Sequence, residues 1–176
     1  MERLVFAAAF VFLLALTGQA QDSCQRHVEP AGGFSICAPV GWETREKEGL
    51  KFKLLFGTPG QYFTPNINFK DDKDSRLIND YATAGVDYIL KNYEQVGASS
   101  VKLVTQEPFT TASGASGIRV ALRAEYKGLL IRTLQYYFNG KGDDQKILVT
   151  GTALEVDQVT LDPIFDRAAK SFRLEK

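Results

Sequence analysis

The chain has 176 residues, 44% of them hydrophobic, and its 21 lysines and arginines balance 21 aspartates and glutamates. A formal net charge of zero excludes the basic excess of a nucleic-acid binder and the charge surplus of an acidic disordered tail. With one histidine and two cysteines, imidazole or thiolate chemistry would have to rest on single residues rather than clusters.

Residues 1–20 have the three parts of a secretory signal: Arg3 beside the α-amino group, an apolar run from Leu4 to Leu16, and the small-residue ending Gly18-Gln19-Ala20. An apolar run of that length makes a helix of about 20 Å, short of the roughly 30 Å hydrocarbon core of a bilayer. The run therefore predicts cleavage after Ala20 rather than an uncleaved anchor, and a mature chain 21–176 that is not integral to the membrane. Gln21-Asp22-Ser23 ahead of Cys24 departs from the bacterial lipid-attachment pattern, so lipidation is not expected. The predicted location is exported, periplasmic or extracellular. The mature chain suits a single domain able to bury roughly two-thirds of its unfolded surface.

Cys24 and Cys37 flank QRHVE, the turn formers Pro30-Ala31-Gly32-Gly33, and FSI. This pattern predicts a β-hairpin turning near residues 30–33, with the cysteines almost symmetric about the turn. Cross-strand cysteines can meet the roughly 5.5 Å Cα spacing a disulfide needs, and in an exported chain the pair oxidises. No Cys-x-x-Cys supports the rival reading as a catalytic dithiol.

Beyond the hairpin, LKFKLLF at 50–56 alternates, with Leu50, Phe52, Leu54 and Phe56 on one face, and NINF at 66–69 reads as a second short strand. From Ser75 to Gly97 the spacing turns helical: Leu77, Tyr81, Ala84 and Tyr88 recur at three- and four-residue steps, flanked by Ile78 and Ile89. Asp74 or Ser75 is the expected cap, and Gly97 the stop. Strands follow around VKLVTQ, GIRVALRAEY, LLIRTLQYYF and KILVTGTAL, separated by the small-residue stretch 110–117, by Lys127-Gly128, and by the NGKGDD turn at 139–144. Asp162-Pro163 then predicts a short closing helix through Lys170, with its proline at the first helical position. The fold class is α+β.

GFSICAPVGWE resembles the Gly-Phe-Ser-Ile-x-x-Pro-x-Gly-Trp start of PsbP-like and DcrB-like proteins, which share a fold with the Ran-binding Mog proteins. The strand–helix–meander order is similar, as is the ending DPIFDRAAKSFRL, so the resemblance spans essentially the whole mature chain. It implies an α/β/α sandwich around an antiparallel sheet, with accessory or binding functions rather than enzyme activity. Pro-x-Gly-Trp also has a packing explanation: Pro39 ends strand pairing, Gly41 turns the chain, and Trp42 plugs the core. The cysteine pair is not part of the family pattern, and no family site residue is carried over.

No catalytic or metal-binding pattern is complete in the sequence. His27 lies in the hairpin with no nucleophile elbow near it and reads as a plain surface or strand histidine. NGKGDD lacks the spacing of a phosphate loop. KDDKD at 70–74 places Asp72 and Asp74 two apart but lacks the glycine and distal glutamate of a calcium loop. No cofactor and no metal are expected. One feature stands out. If Lys127-Gly128 closes an even-length hairpin, paired positions sum to 255, and Arg123 faces Arg132 while Arg119 faces Tyr136. Like charges so placed destabilise unless carboxylates or a bound anion intervene. Glu125, Glu107 or a helix acid can neutralise them; the functional alternative is a shallow anion-binding patch of Arg119, Arg123, Arg132 and Tyr136.

The sequence thus points first to a non-catalytic, exported accessory or protein-binding module that docks on an envelope or membrane-complex protein. The second reading is a periplasmic carrier holding a small anionic or amphipathic ligand between helix and sheet. An unrecognised hydrolase is the third, without convergent polar groups to support it.

Overall fold

A computed structural model describes residues 24–142 and 144–176, with the side chain of Val96 set aside. The expected export segment, residues 1–20, lies outside the described residues.

The chain opens with the hairpin of β1 (Gln25–Glu29) and β2 (Phe34–Ala38), turning where Pro30 to Gly33 place it. Gly33 adopts φ +68°, and its N–H closes the turn on the Glu29 carbonyl at 2.9 Å. Register puts Arg26, not Cys24, opposite Cys37, so the two cysteines meet on the diagonal, with Cα atoms 5.1 Å apart in a formed disulfide. Two short strands follow, β3 (Glu43–Arg45) and β4 (Leu54–Phe56), and then β5 (Asn66–Lys73). The expected strand at 50–56 shrinks to its last three residues, because only Leu54 to Phe56 find ladder partners; Leu50 is exposed and Phe52 turns into the core. β5 is longer than NINF. It runs on through Lys70 to Lys73, so most of the acidic stretch is strand.

Helix α1 (Ile78–Asn92) ends through a short 3-10 turn at Gly97, left-handed at φ +78° as anticipated. Its start and its stripe differ from expectation. Neither Asp74 nor Ser75 caps it; Leu77 occupies the cap position, and Asp74 accepts instead from the Arg76 backbone N–H and guanidinium. The buried side is Ala82 and Val86, supported by Ile78, Tyr81, Ile89 and Leu90, while Leu77 and Tyr88 face solvent. Two overlapping apolar stripes exist in this segment, and the one with smaller residues lets the helix lie close: a Cβ on Gly85 would stand 3.0 Å from the Tyr137 hydroxyl.

The meander consists of β6 (Ala98–Thr110), β7 (Ser116–Tyr126), β8 (Leu129–Asn139) and β9 (Gln145–Leu154). Lys127 and Gly128 both take positive φ, 51° and 76°, as a two-residue hairpin demands. The pairing sums to 255 throughout, so Arg123 lies opposite Arg132 and Arg119 opposite Tyr136. A second 3-10 turn (Glu155–Asp157) leads into α2 (Gln158–Lys170), and β10 (Arg173–Leu174) closes the chain against β2. α2 begins five residues before the expected start, and Pro163 is its sixth residue rather than its first. The proline withdraws one N–H from the ladder on the side where Val159 and Pro163 itself are exposed.

Seven strands in the order β3-β4-β5-β9-β8-β7-β6 form one antiparallel sheet, and β1-β2-β10 form another. Alternation along β8 divides the core. Leu134, Tyr136 and Phe138 point to one face, where α2 and the hairpin pack with Phe34, Phe165 and Phe172; Tyr137 points to the other, under α1. Phe138 stacks on Phe172 at 4.3 Å between centroids, and full burial of each such ring contributes about 1.5–3 kcal/mol. The result is the expected α/β/α sandwich around an antiparallel sheet. Trp42 corrects one detail: it is only partly buried, edge-on to Phe165 at 6.0 Å, and sits at the rim of the core instead of plugging it.

Candidate functional site

β7 and β8 carry Arg119, Arg123, Arg132 and Tyr136 on the sheet face that receives α2, which brings all four together beneath that helix. Two acids one helical turn apart meet them. Asp166 accepts from Arg119 Nε at 2.8 Å and from the Tyr136 hydroxyl at 2.7 Å; Asp162 accepts from Arg132 Nε at 3.2 Å and Nη2 at 3.0 Å. Glu155, in the turn before the helix, lies 3.5 Å from Arg123, and Glu107 from β6 lies 3.0 Å from Arg119 Nη1. Three guanidiniums thus meet four carboxylates, and the like-charge pair is met from within, Arg132 by Asp162 of the helix and Arg123 by Glu155 of the turn before it. Burial and the Asp166 hydrogen bond push the Tyr136 phenol far above its ordinary pKa, so it remains a donor. Burial opposes the charge of Arg119, and the Asp166 carboxylate more than restores it. Arg119 and Arg132 are largely covered; Arg123 keeps 47% of its side chain in solvent.

The other flank of α2 borders a groove of about 610 Å³. The chain builds it from distant pieces. After β2, the Trp42 N–H bonds the Pro39 carbonyl at 3.1 Å and Gly41 takes φ +79°, folding Trp42 back toward Phe165. That loop and the Cys24–Cys37 disulfide make one wall; Ile164, Arg167 and Ala168 make the other. Ser171 joins the walls: its hydroxyl accepts the Cys37 N–H at 2.6 Å and donates to the Ala168 carbonyl at 2.6 Å. Arg26 adds a second tie, donating to Ser35 Oγ at 2.9 Å and to the Ser171 carbonyl at 3.3 Å, with Nη2 3.6 Å from Cys37 Sγ. Arg167 and Lys170 stand exposed at the lip. Sequence reasoning missed these two cations. Their signal was present as a pair three residues apart near the end of a helix, where they share a side.

His27 and the acidic stretch 70–74 are engaged elsewhere. His27 is in a strand as expected but is buried, contrary to a surface placement: it bonds Glu29 at 2.7 Å and stacks on Phe69, while Glu29 also receives the Lys53 N–H at 3.1 Å. Asp71 pairs with Lys51, Asp72 with Lys70 and the Tyr81 hydroxyl, and Asp74 with Arg76, which disperses the acidic stretch over both sides of β5. Among the described residues no group of three or more His, Cys, Asp or Glu side chains is placed to hold a metal ion.

No family model and no curated protein matches the chain. Solved structures do. Cyanobacterial PsbP (CyanoP) from Synechocystis sp. PCC 6803 superposes with a TM-score of 0.66 at 17% identity, covering 92% of this chain and 98% of that one. LpqN, described as involved in cell envelope biogenesis of Mycobacterium tuberculosis, gives 0.61 at 13% identity over 89% of this chain and 88% of its own. The Saccharomyces cerevisiae Ran-binding protein Mog1p gives 0.52 at 10% identity over 86% and 96%. Likeness at such identities concerns architecture, and on that ground the chain has the PsbP/Mog-like fold.

Proposed function

We propose that this protein is an exported, non-catalytic accessory module that docks on an envelope protein. The observation that carries the reading is the outward side of α2 and the turn before it. Val156 and Val159, 80% and 82% exposed, lead through Pro163 to Arg167 and Lys170, so an apolar start runs into a cationic end. Val40, 82% exposed, adds to it from across the groove, and Arg123 offers its free half beside Glu155. Single exposed apolar residues are ordinary, but three nearly bare valines on a surface with two cations that have no ion pair among the described residues suit a partner surface. The disulfide fits an oxidising compartment, and the involvement of LpqN in cell envelope biogenesis supports the setting. The test is affinity capture from envelope extract by the oxidised chain 21–176, beside Val156→Asp/Val159→Asp and Arg123→Glu variants shown to be folded. A defined partner retained by the parent and lost by the valine variant supports docking here; equal capture by all three removes this surface from the proposal.

The small-ligand carrier is the second reading, favoured by the groove itself. Its volume lies in the range of roughly 300–1,000 Å³ typical of small-molecule sites. It differs in place from the expected cavity, lying between α2 and the hairpin rather than between helix and sheet.

A further inference from the structure

The groove differs in character between wall and lip. Its walls are apolar, from Pro39, Val40 and Trp42 on one side to Ile164 and Ala168 on the other, and the lip carries Arg167 and Lys170. Six of the eight described arginines hold a carboxylate: Arg45, Arg76, Arg119, Arg123, Arg132 and Arg173. Arg26 spends its guanidinium on Ser35, Ser171 and Cys37. Arg167 is the exception; among the described residues its guanidinium has no partner, and Lys170 has no ion pair. The helix dipole favours cations in a last turn but does not account for their position over an apolar cleft. Unpaired positive charge above an apolar wall is complementary to a molecule with an anionic head and a hydrocarbon tail.

We infer that the groove binds a free, single-chain anionic amphiphile, with its carboxylate on Arg167 and Lys170 and its tail along Trp42, Val40 and Ile164. This rests on the carrier reading and gives it a ligand class. A guanidinium and an ammonium converge on the head, so the charge of the ligand contributes directly to affinity. Each methylene that enters the cleft tightens binding by about fourfold while wall remains to cover it.

Trp42 is the only tryptophan, so its emission reports on the groove without a label. Oxidised chain 21–176 is titrated with octanoate, decanoate and dodecanoate below their micellar concentrations, and with 1-decanol as the uncharged equivalent. The expected result is a blue shift of Trp42 emission, affinity rising along the acid series, and decanoate binding at least tenfold tighter than decanol. Arg167→Gln/Lys170→Gln, at exposed positions, weakens decanoate by about tenfold and leaves decanol unchanged. If decanol binds as tightly as decanoate, or the double variant keeps full decanoate affinity, the head-group assignment is overturned while the carrier reading stands. If neither the acids nor the alcohol binds, the carrier reading itself fails. A shift produced by phosphatidylglycerol vesicles and not by monomeric decanoate overturns the inference in favour of a membrane surface.

Discussion

Replacing Asp166 by alanine tests whether α2 is held by charge as well as by packing. The carboxylate serves the Arg119 Nε at 2.8 Å and the Tyr136 hydroxyl at 2.7 Å; the third approach, Arg119 Nη2 at 3.5 Å, is too long to count. Hydrogen bonds to charged groups contribute about 1.5–3 kcal/mol each, which bounds the loss at about 3–6 kcal/mol. Two features pull toward the lower end: Asp166 is 32% exposed, and Glu107 remains 3.0 Å from Arg119 after the change. One feature works the other way, since Tyr136 is 1% exposed and its hydroxyl is left without an acceptor. The expected loss is about 3 kcal/mol, a large share of the 5–15 kcal/mol typical of a domain, yet compatible with folding. In a chain of this size that corresponds to a fall in Tm of about 6–12 °C. Urea unfolding followed by circular dichroism and Trp42 emission should show a lower midpoint at unchanged slope. Asp166→Asn, which keeps one oxygen, should lose about half as much, and the double change Arg119→Met/Asp166→Leu should recover part of the deficit by removing the guanidinium along with its partner, while the Tyr136 hydroxyl still lacks its acceptor. A loss below about 0.5 kcal/mol for Asp166→Ala would refute the reasoning, because it would mean that water already screens the network.

Reduction of Cys24–Cys37, or Cys24→Ser/Cys37→Ser, should cost about 3 kcal/mol through freedom returned to the unfolded chain. The fold should persist, since five register pairs and the buried Phe34 and Ile36 hold the hairpin; equal melting of the oxidised and reduced forms contradicts the estimate. Asp74, held by the Arg76 guanidinium and backbone N–H, has its pKa lowered from 3.8 to about 2. A depressed carboxylate contributes stability above its unfolded value and loses it as pH falls through the folded one, so that contribution disappears between pH 3.8 and 2. Asp74→Asn should therefore flatten the acid limb of a Tm–pH curve there, and parallel curves would exclude the effect. Gly151→Ala would put a Cβ 2.5 Å from the Phe165 ring, forcing α2 off β9 at a cost of about 1–3 kcal/mol; an unchanged urea midpoint would show that the ring can move aside.

What was legible in the sequence was what period and turn chemistry determine locally. Pro30 to Gly33 and Lys127-Gly128 located both hairpins, and the second fixed a register that put Arg123 opposite Arg132. Choices between neighbouring alternatives were less legible. Leu77 and Tyr88 are as apolar as the residues α1 buries, and only the sheet beneath, with Tyr137 pressing on Gly85, selects Ala82 and Val86. Pro163 carries a start signal that α2 overrides, because beginning at Gln158 leaves Asp162 and Asp166 both free to reach the arginines. The groove was not legible at all: residues near 24, 40, 112 and 168 form it only after the hairpin has packed on the helix.

α2 performs two tasks with adjacent residues. Successive helical positions differ by about 100° around the axis, so Asp166 turned to the sheet leaves Arg167 turned toward the hairpin. Attachment and presentation are thereby separated within one turn: Asp162 and Asp166 hold the helix, while Ile164, Arg167 and Lys170 line or rim the groove. The two roles make opposite predictions for neighbouring substitutions. Loss of Asp166 lowers stability and changes affinity only as far as the helix shifts, whereas Arg167→Gln removes a partnerless charge and leaves the melting temperature within about 2 °C, as befits an exposed site. A comparable fall in Tm for both would mean that Arg167 is itself part of the attachment, and the groove would then lose the free cation on which its proposed ligand depends.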